Sequence, residues 1–191
     1  RKGLGVKMAY REALMADAQK LEETLFSSSI RFLETEYQKN ELRANVLQTF
    51  TELFCQWGEQ TDKEAASLGI CYLHSSILMR TGEIRLTLFG EEFYLDKNQF
   101  EKAWYPPYFF QQYEQDMSEI MTALQKHHPR IYPYEENAVR YQYAQYFYTA
   151  IQSLCQDMLE ELTESEAYQK MKKTKDFFFF FGRWMGEAEK L

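Results

Sequence analysis

The chain has 191 residues, 45% hydrophobic and 27% charged, with a net charge of −7. That length supplies one sizeable core, and the acidity argues against a nucleic-acid partner, since phosphate binding draws on clustered cations and counterion release. No run approaches the ~18 consecutive apolar residues of a membrane-spanning helix, and residues 1–10 lack the apolar centre of a signal peptide.

Aromatic residues make up 17% of the chain, against eight Gly and four Pro. Few turn formers imply long regular elements, helices above all. Cys55, Cys71 and Cys155 are scattered and odd in number, so no disulfide framework is expected and a reducing, cytoplasmic setting is the simpler reading.

The first predicted helix runs from about Val6 to Ser27, with Leu14, Ala18, Leu21 and Leu25 as its apolar stripe. Ser27-Ser28-Ser29 is expected to end it. A second helical region spans about Ile30 to Trp57, carried by Leu42, Val46, Phe50, Leu53 and Trp57, with a break near Asn40 left open. Thr61 and Glu64 have capping-box spacing, which predicts a helix from there to about Arg80, stopped by Thr81-Gly82.

Residues 83–96 read as a β-hairpin turning at Gly90-Glu91. In that register Leu88 faces Phe93 and Leu86 faces Leu95 on one side, with Thr87 opposite Tyr94 and Arg85 opposite Asp96 on the other. A short helix capped by Asn98 should extend to Ala103. After the Trp104-Tyr105-Pro106-Pro107-Tyr108 connector, a helix buries Phe110, Tyr113, Met117, Ile120, Met121 and Leu124 and ends near His127-His128-Pro129. Ile131-Tyr132-Pro133-Tyr134 then leads into a long helix from about Glu135 to Leu162. The Thr163-to-Glu166 spacing predicts a last helix, carrying Lys170, Lys172, Lys173 and Lys175 and entering the five-residue run Phe177–Phe181. Such a run surrounds a helix or fills both faces of a strand, so it must be enclosed, and most of it is expected to be core.

The expectation is therefore a mainly α fold: a single compact helical domain over 1–191, of about six helices, with one inserted β-hairpin at about residues 83–96.

Candidate chemistry is sparse. The chain has no Gly-x-Ser-x-Gly, P-loop, Gly-x-Gly-x-x-Gly or His-Glu-x-x-His pattern. Cys71 and His74 make only half of a zinc site, and no histidine has Glu three positions before it. No catalytic residue, metal or cofactor is expected. Tyr132, Tyr134, Arg140, Tyr141, Gln145 and Tyr148 cluster in sequence and could line a ligand cleft; the competing reading is a central helix wrapped by its neighbours. Trp104, Tyr105, Tyr108 and Trp184 are candidate partner anchors, because aromatics dominate interface energetics. The favoured reading is a soluble intracellular interaction or regulatory protein without catalysis, binding a protein partner or a second copy. The alternative is a small-molecule-binding protein or enzyme with a Tyr-lined cleft between helices.

Overall fold

The computed structural model describes residues 2–95 and 99–191. In chain order the elements are α1 Lys2–Tyr37, α2 Asn40–Gln60, β1 Ala65–Tyr72, α3 His74–Leu78, β2 Ile84–Phe89, a 3₁₀ turn Phe93–Leu95, β3 Phe100–Trp104, α4 Phe109–His127, α5 Pro133–Glu164, α6 Glu166–Lys170, β4 Lys173–Arg183 and β5 Ala188–Lys190. Among the described residues the protein is thus mainly helical, with six α-helices, and it carries a five-stranded mixed sheet in place of the single expected hairpin. The chain forms two compact units. One takes Arg1–Glu36 and Pro107–Thr149, the other Tyr37–Pro106 and Ala150–Leu191.

The first unit is helical. Leu14, Ala18 and Leu33 of α1 are buried, as are Phe109, Tyr113, Met117, Ile120 and Leu124 of α4 and Val139, Tyr143, Ala144, Phe147 and Tyr148 of α5. Each such large apolar side chain contributes about 1.5–3 kcal/mol on leaving water. α1 does not end at the serine run. The Ser27 hydroxyl bonds back to the Glu23 carbonyl within the helix, and Ser29 points into the interior, so neither acts as a cap or a stop. The break falls at Gln38 and Lys39.

The second unit holds the sheet, in the order β3-β2-β1-β4-β5. β1 pairs antiparallel with β2 and parallel with β4, while β2–β3 and β4–β5 are antiparallel. α2 buries Val46, Phe50, Leu53, Phe54 and Trp57, the stripe its periodicity announced. Phe50 meets the Trp104 ring edge-on at 5.5 Å, and Phe54 meets Tyr168 of α6, which stacks on Phe179 of β4. Those contacts mark the sheet face that bears Phe177, Phe179 and Phe181, against α2 and α6.

Three local expectations are corrected here. The predicted 61–80 helix is β1 followed by the short α3. The Thr61 hydroxyl accepts from the Lys63 N–H in a tight turn, and the Trp57 indole donates to the Lys63 carbonyl, so the capping residues serve a loop. β1 is buried on both faces and shows no polar alternation to distinguish it from a helix. The hairpin does not form. β2 lies between β1 and β3, with Leu88 opposite Phe100 and Leu86 opposite Lys102. The chain after Gly90 turns into the 3₁₀ segment, and the Phe93 ring stacks on Phe89 at 5.0 Å. The predicted helix to Ala103 is strand β3. Asn98, its expected cap, and Asp96, expected opposite Arg85, lie outside the described residues.

The last helix is a single short turn, α6, capped by the Ser165 hydroxyl, which accepts from the Tyr168 N–H. The phenylalanine run belongs to β4, which pairs in parallel with β1 over Phe178–Phe181. Phe179, Phe180 and Phe181 are buried, while Phe177 and Phe178 are half-buried.

Gly82 adopts a left-handed φ of 64° in the turn into β2, a conformation that favours glycine. Gly69 is needed for a different reason: a Cβ there would stand 2.5 Å from the Phe180 ring.

Candidate functional site

All three helices of the first unit send polar side chains into its interior. On α1 the buried stripe continues from Leu14 and Ala18 through Glu22 and Ser29 to Leu33, so helical spacing places a carboxyl and a hydroxyl where apolar residues would ordinarily sit. Asp116 enters likewise from the buried face of α4.

Asp116 is the hub. Its Oδ2 accepts from the Ser29 hydroxyl at 2.6 Å and from the Tyr143 hydroxyl at 2.6 Å, and its Oδ1 accepts from the Gln112 amide at 3.0 Å. The same amide reaches Ser29 Oγ at 3.1 Å. Tyr113 stacks on Tyr143 with ring centroids 5.8 Å apart and donates its hydroxyl to the Arg140 carbonyl at 2.8 Å. The Arg140 guanidinium pairs with Glu114 and lies over the Tyr113 ring at 5.4 Å. Burial pushes the Tyr113 and Tyr143 hydroxyls well above the usual phenol range, and at Tyr143 the bond to Asp116 adds to that effect. Both therefore stay protonated donors.

Glu22 stands apart from the hub. It is 0% exposed, and Oε2 accepts from the Gln142 amide of α5 at 2.8 Å. Among the described residues Oε1 has no hydrogen-bond partner. Burial raises its carboxyl to about 7, against the opposing pull of the Gln142 bond. At the end of α4, the buried His128 places Nε2 3.0 Å from Asp17 Oδ2 and packs edge-on to Tyr10 at 5.3 Å. That hydrogen bond holds the Asp17 carboxyl below its usual range.

Chemically the cluster is closed. Ser29 and Asp116 are each 2% exposed and Tyr143 is 0% exposed, so no solute reaches them. Their donors and acceptors satisfy one another. The arrangement specifies helix register and holds protons; it presents no accessible nucleophile–base pair.

The candidate ligand residues occupy three settings. Tyr132 and Tyr134 are exposed at the start of α5 and stack on one another at 5.7 Å and 12°. Arg140 and Tyr148 are buried. Tyr141 is half-buried, and Gln145 is exposed, its amide bonded to the Tyr141 carbonyl within the helix. Tyr132 and Tyr134 are thus brought together, while Arg140 joins the interior and Gln145 faces solvent. Among the candidate anchors, Trp104 is buried against Phe50, and Tyr105 and Tyr108 are exposed. Trp184 is half-buried, with the Arg85 guanidinium over its ring at 5.2 Å and Tyr94 edge-on at 5.4 Å.

None of Glu22, Ser29 and Asp116 was among the candidate site residues read from the sequence; Glu22 had the look of a solvated acidic face beside Glu23, and Ser29 of a helix stop, yet both are buried. Their signal was present: each falls four or seven residues from buried positions of its own helix, and a polar residue at such a position needs a buried partner. What no single helix reveals is which partner.

Among the described residues, no group of three or more His, Cys, Asp and Glu side chains is placed to hold a metal ion, and no helix is long and apolar enough to cross a membrane. Comparisons with protein-family models, curated proteins and solved structures found no match.

Proposed function

We propose that this protein is a protein-interaction or regulatory module without catalysis of its own, and that Tyr132 and Tyr134 are its principal anchors. The observation that carries this reading is an exposed, stacked tyrosine pair that is hydrogen-bonded in place by its own helix start. Pro133 opens α5, and Glu135, three residues after Tyr132, reaches back so that its Oε2 accepts the Tyr132 N–H at 2.9 Å. Glu135 is itself buried, and its Oε1 accepts from the Tyr134 hydroxyl at 3.4 Å. The Arg130 guanidinium lies over the Tyr132 ring at 5.6 Å, and the Arg130 carbonyl is bonded by the Tyr10 hydroxyl at 2.9 Å. Tyr and Arg are the residue types most enriched at binding hot spots. Fixing them beforehand lowers the ordering cost of association. Tyr105 and Tyr108 are exposed as well and supply secondary contact area.

The alternative, a ligand cleft lined by tyrosines, is favoured by one observation, the unpartnered Oε1 of buried Glu22. Against it, the inward hydroxyls of Tyr113 and Tyr143 are already bonded internally.

A photo-crosslinking amino acid placed at 134 in cells, with the same residue at the exposed position 145 as control, tests the reading. Discrete protein adducts at 134 that are absent at 145, and lost when Tyr132→Ser is added, are expected. Equal labelling at both positions, or none at 134, would refute it.

A further inference from the structure

Glu22 is a carboxyl group enclosed between α1 and α5 with a single donor. Its interhelical hydrogen bond is the 2.8 Å contact from Gln142, and its second oxygen is buried and unpartnered. Asp116, in the same unit, has three donors. The difference matters because a buried charge persists only when several hydrogen bonds or a counter-charge replace its hydration. Among the described residues no cation pairs with Glu22. The titratable and charged groups around it are Glu23 on its own helix, Tyr113 on α4, and Tyr143 and Tyr146 on α5. The carboxylate among them opposes ionisation, and the buried phenols Tyr113 and Tyr143 bond other acceptors, Tyr113 to the Arg140 carbonyl and Tyr143 to Asp116.

We propose that Glu22 is a proton-controlled clasp: with its carboxyl protonated, α1 and α5 close over it against Gln142, and loss of that proton loosens the two helices around this contact. The neutral group leaves one unpartnered hydroxyl in the interior, a smaller cost than an unpaired buried charge. The ionised group leaves a full charge with one hydrogen bond, which drives the side chain toward water and parts Glu22 from Gln142. Phe26, one turn along α1, packs on Tyr146 and Phe147 of α5 at 5.1 and 5.5 Å, so a parting there is transmitted into neighbouring aromatic contacts.

The working range follows from the raised proton affinity. A carboxyl near 7 when folded and near 4.5 when free binds its proton more tightly in the folded protein. The folded state is then favoured at low pH, loses ground as pH rises from about 4.5 to about 7, and is flat above. Across that window the folding equilibrium constant should fall on the order of a hundredfold from this group alone.

Two measurements on the intact chain test the idea. The first follows the Glu22 side-chain carboxyl by ¹³C NMR in the unmodified protein. A midpoint between about 6 and 8 is expected, and an ordinary carboxyl midpoint overturns the proposal. The second compares Glu22→Gln with the parent at pH 5 and pH 8, by urea unfolding and by amide exchange over residues 18–26 and 139–147 corrected for intrinsic rates. The parent should lose protection there at pH 8, and E22Q should not. Identical pH dependence in both proteins overturns the clasp, as does a parent whose exchange in these segments ignores pH. A failure here leaves the tyrosine-pair crosslinking result unaffected, so the two ideas stand or fall separately.

Discussion

Gly69→Ala offers a quantitative test of how the second unit is packed. In an ordinary strand this change is favourable by about 0.5–1 kcal/mol, because glycine loses more backbone freedom on folding. Here the added methyl would stand 2.5 and 2.9 Å from two atoms of the Phe180 ring and 3.0 Å from the Phe89 ring. Phe180 has little room to yield: its ring stacks on Phe89 at 5.9 Å and on Phe93 at 5.7 Å. Its backbone is held in register opposite Gly69. Overpacking of this kind costs about 1–3 kcal/mol. The clash outweighs the entropic gain, so a net destabilisation of ~1–2 kcal/mol is expected. Urea unfolding followed by tryptophan fluorescence measures it, with Trp184 stacked on Phe89 as a nearby reporter. The same substitution in a Phe180→Leu background should cost less by ~1 kcal/mol or more, since the obstructing ring is gone. A neutral or stabilising Gly69→Ala, or equal cost in both backgrounds, would refute the account of this face.

Asp116→Ala removes one acceptor from Ser29, Tyr143 and Gln112 together, and leaving buried donors unsatisfied costs ~1–3 kcal/mol each without strict additivity; a loss of at least ~3 kcal/mol in chemical denaturation is expected, and a loss under ~1 kcal/mol would mean the hub contributes little. Phe180→Ala, at a buried position, should cost ~3–5 kcal/mol, and the half-buried Phe177→Ala clearly less, with equal melting shifts as the contrary result. All three cysteines are unbridged, and only Cys55 is exposed. Burial pushes the Cys71 thiol to about 12 and the Cys155 thiol higher still. One thiol should therefore react quickly with a neutral-pH thiol reagent and two only on unfolding, and three fast thiols would contradict the burial described.

The helices were legible where their signal is local. Residues 46, 50, 53 and 57 of α2, and 113, 117, 120 and 124 of α4, repeat at the helical period with polar residues between, so a single chain segment shows both the element and its buried face. The same reasoning extended α1 only to Ser27. Whether a serine caps a helix or turns inward depends on what lies beside it, and the partner of Ser29 is Asp116, 87 positions away.

The sheet was not legible for a related reason. β1 lies inside the sheet between β2 and β4 and is apolar or small on both of its buried faces, and its parallel partner begins about a hundred residues later. No alternation survives in such a strand to separate it from a buried helix. The tetrad Leu86, Leu88, Phe93 and Leu95 satisfied a hairpin pattern on paper, yet β2 pairs with Phe100 to Trp104, and Phe93 covers the sheet face near Gly69.

What the sequence determined by itself was therefore its mainly helical character, the buried stripes of α2 and α4, and the need to enclose Phe177–Phe181. The tertiary structure alone decided that this run would be a strand with its rings divided between two faces. It likewise decided that Glu22 would be buried with one hydrogen bond while Asp116 received three. Helical periodicity is a property of neighbours within a few residues, whereas strand pairing and buried polar satisfaction belong to side chains far apart in the chain that meet only on folding.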